Sequence, residues 1–204
     1  MFTIKRLPEF DLWFDGLRDR TTAIRLGMRL DKAHRGILGD VKPVGDGVFE
    51  MREFFGPGWR MVYVQHGAVL IVMLGGGDKA GQTRDIAAAK KLAAALVFKE
   101  QAMRKKIHVE ELPVFDLAEQ LKTDEDIATY LSIVLEGDDQ SELMHALGVV
   151  ARARGMTEVA RAAGLTREAL YKALRPNSQP RFDTIARVCR ALGLKLTTQV
   201  QVQA

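Results

Sequence analysis

The alternation of apolar and polar positions divides the chain into two unlike halves. From Pro8 onward, Phe10, Trp13, Phe14 and Leu17 fall at i, i+3, i+4 and i+7, one stripe of a helix. A second helical pattern follows Asp19, with Ile24, Leu26, Met28, Leu30 and Ala33 available for burial. It ends near Gly36 or Gly39, with Arg35 in the last turn. Four strand-like runs come next, DVKPVGDG, GVFEMREFF, WRMVYVQ and AVLIVMLGG, separated by the turns Gly45-Asp46-Gly47, Gly56-Pro57-Gly58 and His66-Gly67. Connections this short predict an antiparallel meander. The period returns to helical in TRDIAAAKKLAAAL, with Ile86, Ala89, Ala93 and Leu96 on one side. Residues 1–100 therefore read as a compact α+β unit of two N-terminal helices, an antiparallel β-meander and a closing helix.

Residues 142–204 carry only the helical period until the end. A helix bearing Leu143, Leu147, Val150 and Ala151 leads into Gly155. Then MTEVARAAGLTREALYKAL places Val159 and Ala160 on a short helix, Gly164 in a turn and Thr166 as N-cap of a second helix. Leu165, Leu170 and Leu174 face inward, the spacing of a helix-turn-helix. Thr166, Arg167, Glu168, Tyr171, Lys172 and Arg175 are left outside, a basic, aromatic-bearing face suited to phosphates and base edges. Pro176 and Pro180 interrupt the chain before another helix, Phe182 to Leu192. The final run alternates Leu194, Leu196, Thr198 and Val200, a terminal strand able to pair between subunits.

Charge sharpens this division. Residues 1–105 hold 18 Lys+Arg against 12 Asp+Glu, residues 110–142 hold 11 acids and one base, Lys122, and residues 143–204 hold 10 bases and 3 acids. Two basic modules thus flank an acidic stretch, and 101–141 reads as linker and acidic segment. Basic modules are commonly nucleic-acid binders, and an acidic block beside one can cover it; a solvated loop explains EGDDQSE equally simply. No apolar run reaches the roughly 18 residues of a membrane span, and the first residues lack a signal-peptide pattern. Cys189, the single cysteine, allows no intramolecular disulfide, which suits a reducing, cytoplasmic setting, and it sits in a helical pattern as a core thiol. His34, His66, His108 and His145 share no ligand spacing, so neither a metal nor another cofactor is expected.

The candidate chemistry lies in the meander. Arg52 and Arg60 occupy neighbouring strands across the Gly-Pro-Gly turn, and alternation lets them share a face. Two guanidinium groups packed together need an anion: either Glu50 neutralises Arg52, or the pair clamps a phosphate. LGGGDK ends the next strand. Its glycines Gly76 and Gly77 either form a plain tight turn or let the chain's own backbone approach a ligand closely and present N–H groups to an anion, with Lys79 beside them.

The succession GDVKPVGDGVFEMREFFGPGWRMVYV…LIVMLGGGDKAGQTRDIAAAKKL resembles the RelE/ParE superfamily of toxins, nearest its HigB-like addiction-module killer branch, over residues 1–100. That resemblance implies a ribosome-dependent mRNA endonuclease, with a minority alternative of action on DNA gyrase. It gives Arg52 and Arg60 the scissile phosphate, Lys79 a proton donation or a third phosphate contact, and Lys42 the RNA backbone. Tyr63 becomes a stacking residue or acid, or else a core tyrosine, and the general base stays unassigned. Residues 109–197, with VEELPVFDLAEQLKTDEDIATYL and A---GLTREALYKAL, resemble HigA-like antidote proteins of the lambda-repressor type. Together the two resemblances imply a self-neutralised fusion that binds operator DNA as a homodimer. The toxin–antitoxin contact would form within or between chains, with mRNA and the ribosome as partners of the freed toxin half and no membrane. The other reading is a transcriptional regulator whose first module is an inactive toxin.

Overall fold

A computed structural model describes residues 1–97, 107–137 and 139–197, and the chain forms two compact units, Met1–Leu117 and Ala118–Ala204. The first unit is built on a five-stranded sheet: β1 (Thr3–Arg6), β2 (Val41–Gly45), β3 (Val48–Arg52), β4 (Trp59–His66) and β5 (Leu70–Asp78), in the order β1-β5-β4-β3-β2. The meander β2–β5 is antiparallel. β1 has no counterpart in the sequence expectation. It pairs in parallel with β5, Thr3 opposite Leu70, which requires the long crossover through everything between them.

Helices α1 (Pro8–Asp15) and α2 (Arg20–His34) cover one face. Pro8 opens α1, where its missing N–H costs nothing. Asp19 caps α2, accepting from the amides of Thr21 and Thr22 and from the Thr22 hydroxyl. Phe10, Phe14, Met51, Met61, Tyr63, Ile71 and Met73 are buried. Helix α3 (Gln82–Ala95) packs on β3, β4 and β5. Ile86, Leu92 and Ala93 lie against a second core of Leu7, Val48, Val62, Val64, Val72, Leu74 and Ala89. A two-residue parallel ladder, β6 (Leu96–Val97) with β7 (Ile107–His108), follows α3.

The boundary expected at residue 100 falls instead after Leu117. Val109 joins the second core, and Phe115 and Leu117 are 6% and 1% exposed within the first unit. The acidic stretch is therefore divided. Its later part forms α4 (Asp124–Glu136), whose first turn carries Asp124, Glu125 and Asp126 where the helix dipole favours negative charge. Thr123 and Asp126 close a capping box, Asp126 being 4% exposed. Ile127, Tyr130, Leu131 and Val134 bury the other side of α4, which packs on α5 (Gln140–Ala153).

The rest of the second unit is helical: α6 (Met156–Ala162), α7 (Arg167–Ala173) and α8 (Phe182–Ala191). Val159, Ala160, Leu170, Leu174, Val188 and Leu192 are buried, and Cys189 is buried with them; burial pushes its thiol pKa up. Leu194–Thr197 take no strand conformation, and the remainder of the expected terminal strand lies outside the described residues. Among the described residues no helix is long and apolar enough to cross a membrane.

Candidate nucleic-acid interfaces

Arg52 and Arg60 are direct register partners across β3 and β4, so both leave the sheet on the face covered by α3. Their guanidinium carbons lie 5.9 and 5.7 Å from one ring, that of Phe54, which is 72% exposed. Neither charge is free. Arg52 is paired with Asp40 at 2.6 Å, and Arg60 with Glu50 at 3.7 Å. Glu50 thus neutralises Arg60, not Arg52, reaching it diagonally across the ladder.

The two pairs differ in burial. Arg52 and Asp40 are about one-third exposed, whereas Glu50 is fully buried and Arg60 8% exposed. Gln82, in the first turn of α3, donates to both Glu50 oxygens at 2.8 and 3.0 Å, and Arg60 also donates to the carbonyls of Glu53 and Trp59. Glu50, Gln82 and Arg60 form an internal cluster, in which the buried Arg60 Nε faces Glu50 at 3.7 Å without a hydrogen bond of its own. Arg52 is the guanidinium a ligand can reach.

Lys79 is exposed, and its Cβ and the Arg60 guanidinium both lie 3.7 Å from the position a side chain at Gly58 would take. Lys42 is exposed on β2, opposite Glu50 and so on the same face. Tyr63 does not join them. It is 1% exposed on the other face, stacked on Phe49 at 5.5 Å, and burial raises its pKa while Arg29 pulls it down. A ring buried there offers no surface to a nucleotide base, so its expected RNA contact is replaced by a core role.

The glycines are also filled from within. Gly76 faces α1, and the Trp13 ring lies where a Cβ would stand. Gly77 opposes Arg60 on the α3 face, and the Asp85 carboxylate occupies the corresponding space. These residues lack side chains so that a helix can sit close on each face, which leaves no room for an RNA backbone. The residues missed by the sequence reading are Asp40, Gln82 and Phe54. Only Phe54 left a signal, an aromatic residue just before a Gly-Pro-Gly turn where alternation had ended.

In the second unit, Gly164 takes φ +65° in the turn between α6 and α7, and the Thr166 hydroxyl accepts from the Ala169 amide. Thr166, Arg167, Glu168, Tyr171, Lys172 and Arg175 are all exposed, brought together on and beside one short helix. Arg167 lies over the Tyr171 ring at 5.5 Å, and its hydrogen bond to the Tyr171 hydroxyl at 3.5 Å raises its pKa further.

A family model described as "Probable addiction module antidote protein" matches residues 111–200, a span that contains the whole helix-turn-helix. An uncharacterized protein of Haemophilus influenzae is 44% identical over 90 residues, 44% of this chain and 93% of that protein. A second uncharacterized protein of the same organism is 38% identical over 93 residues, 46% of this chain and 94% of its own length. The chain belongs to that antidote family. It is thereby related to toxin–antitoxin systems, and its antidote-family segment begins inside the first structural unit, at Glu111. No solved structure matches the chain.

Proposed function

We propose that this protein is a toxin–antitoxin fusion in which an antidote half binds operator DNA, represses its own operon and restrains a RelE-like ribonuclease module in front of it. The reading rests first on α7: a capped helix inside the antidote-family segment, presenting Arg167, Tyr171, Lys172 and Arg175 to solvent. In helix-turn-helix proteins such a helix enters the major groove, and a dimer places two of them about one helical turn apart.

In the first module, RNA approaches the open side of the Arg52 face. Its phosphate competes with Asp40 for Arg52, a base stacks on the exposed Phe54 ring, and Lys79 supplies a further charge or a proton. Arg60, bound by Glu50, acts through position, holding its end of β4 beside Lys79. Inducing residues 1–106 with and without residues 107–204 in trans, while following growth and mRNA integrity, tests this. The expected result is arrest and mRNA cleavage that the second piece relieves and Arg52→Ala abolishes.

The buried Glu50–Arg60 pair and the buried Tyr63 favour a second reading, a transcriptional regulator whose first module no longer cleaves anything. Harmless expression of residues 1–106 at confirmed folded levels selects it. Gyrase as the target is separated by a supercoiling assay with purified gyrase.

A further inference from the structure

The segment Ile107–Leu117 is folded on the first unit, yet from Glu111 onward it belongs to the antidote-family sequence. Its contacts run along the free edge of β1. Val114 bridges to Lys5 in antiparallel fashion, the Arg6 amide donates to the Pro113 carbonyl at 3.1 Å, and the Phe115 amide donates to the Ile4 carbonyl at 2.8 Å. This is a one-residue antiparallel bridge on the sheet edge, a minimal form of strand pairing. Two apolar side chains then anchor the segment. Phe115 meets the Phe14 ring edge-on at 6.2 Å and lies beneath the Arg6 guanidinium at 5.7 Å. Leu117 fills the space left by Gly27 on α2, its Cδ1 2.9 Å from where a side chain there would begin.

Charge plays a different part from the one its sequence suggests. The Lys5 ammonium donates to the backbone carbonyls of Glu110 and Leu112, both at 2.8 Å, while the Glu110 and Glu111 side chains are exposed. The seat lies at the β1 edge of the sheet, with β5 and β4 between it and Arg52 on β3.

We propose that residues 107–117 are the grip of the antidote half, that the groove formed by the β1 edge, α1 and Gly27 of α2 is its seat, and that this seat takes the segment without a covalent join, including from a second copy of the chain. The proposal rests on the toxin–antidote reading for its meaning, though its test reads association alone.

The test uses the full chain with a protease site placed between residues 97 and 107. After cleavage the two pieces should stay together through gel filtration, in 1 M salt as well as in dilute buffer, and a labelled synthetic peptide of residues 107–117 in excess should exchange into the cut protein. Phe115→Asp with Leu117→Asp should weaken the complex by roughly 100-fold or more, since both anchors leave apolar sites. Phe115→Ala, chosen to fold before cleavage, should weaken it roughly tenfold, and Glu110→Gln with Glu111→Gln should change nothing. Pieces that separate on cutting, fall apart in salt, or hold equally well without the anchors would overturn the grip. A first module that proves harmless when expressed alone, while the pieces of the cut full chain stay bound, would refute the ribonuclease reading and leave the grip standing.

Discussion

Arg52 and Arg60 stand opposite one another across β3 and β4, and each is held by a different carboxylate, Asp40 for Arg52 and Glu50 for Arg60. The partner carboxylates separate two residues of the same type into different roles. Breaking a buried pair strands a charge away from water, whereas an exposed pair loses little. Arg60→Ala, leaving Glu50 buried beside Gln82, should cost about 3–5 kcal/mol. Arg52→Ala should cost about 1 kcal/mol or less. Urea unfolding of both variants checks this. Under the proposed toxin function, a loss of toxicity in Arg52→Ala therefore reports on the site, whereas a loss in Arg60→Ala reports first on folding.

The glycine run provides a test of packing against ligand binding. Gly75 has open space around its missing Cβ, whereas Gly76 lies under the Trp13 ring. Gly76→Ala should destabilise the protein by about 1–3 kcal/mol as Trp13 is forced off its contact. Gly75→Ala should change stability by less than about 1 kcal/mol. Thermal unfolding of the two variants side by side makes the comparison.

Asp19 links stability to acid. The Thr22 hydroxyl first, and then the Thr22 and Thr21 amides, hold its pKa below the ordinary 3.8. A depressed carboxylate contributes fully above its ordinary value and loses that contribution as pH falls through the lowered one. Asp19→Ala should cost about 1 kcal/mol at neutral pH. The gap from the parent protein should hold through the mildly acidic range and close only below the ordinary pKa, as read by urea midpoints across a pH series.

On α7 the Thr166 cap and the exposed cations act separately. Thr166→Ala should lower stability by about 1 kcal/mol through the lost bond to the Ala169 amide. Arg167→Ala with Lys172→Ala should leave stability within about 0.5 kcal/mol. The double variant should still reduce the slope of log affinity against log salt by about 2, if both side chains meet phosphate. Fluorescence anisotropy on an operator fragment over a salt series separates the two effects. An unchanged slope and affinity would remove α7 from the DNA contact.

Phe54 gives an aromatic counterpart. It is exposed beside both guanidinium groups, so Phe54→Ala should weaken binding of a single-stranded oligoribonucleotide by about 1–3 kcal/mol without changing the salt slope, whereas Phe54→Trp keeps it. Titrations in the Arg167→Ala, Lys172→Ala background exclude binding by the second unit.

Local backbone periodicity accounts for everything that could be read along the chain alone. The stripes of α1 and α2, the turn-separated strands β2–β5, the Asp19 and Thr166 caps and the exposed face of α7 are all set by neighbours within one or two turns, so spacing alone reveals them. Alternation likewise allowed Arg52 and Arg60 a common face. Which distant partners each residue meets is settled only when the folded elements come together. β1 is a strand only because β5, far along the chain, offers it an edge, and Phe115 and Leu117 are anchors only because α1 and α2 leave them a seat. Glu50 pairs with Arg60 and not Arg52 because cross-strand register, not distance along the chain, sets which charges touch. Backbone period is written residue by residue, while the choice among distant partners is made only once desolvation and packing compare them in three dimensions.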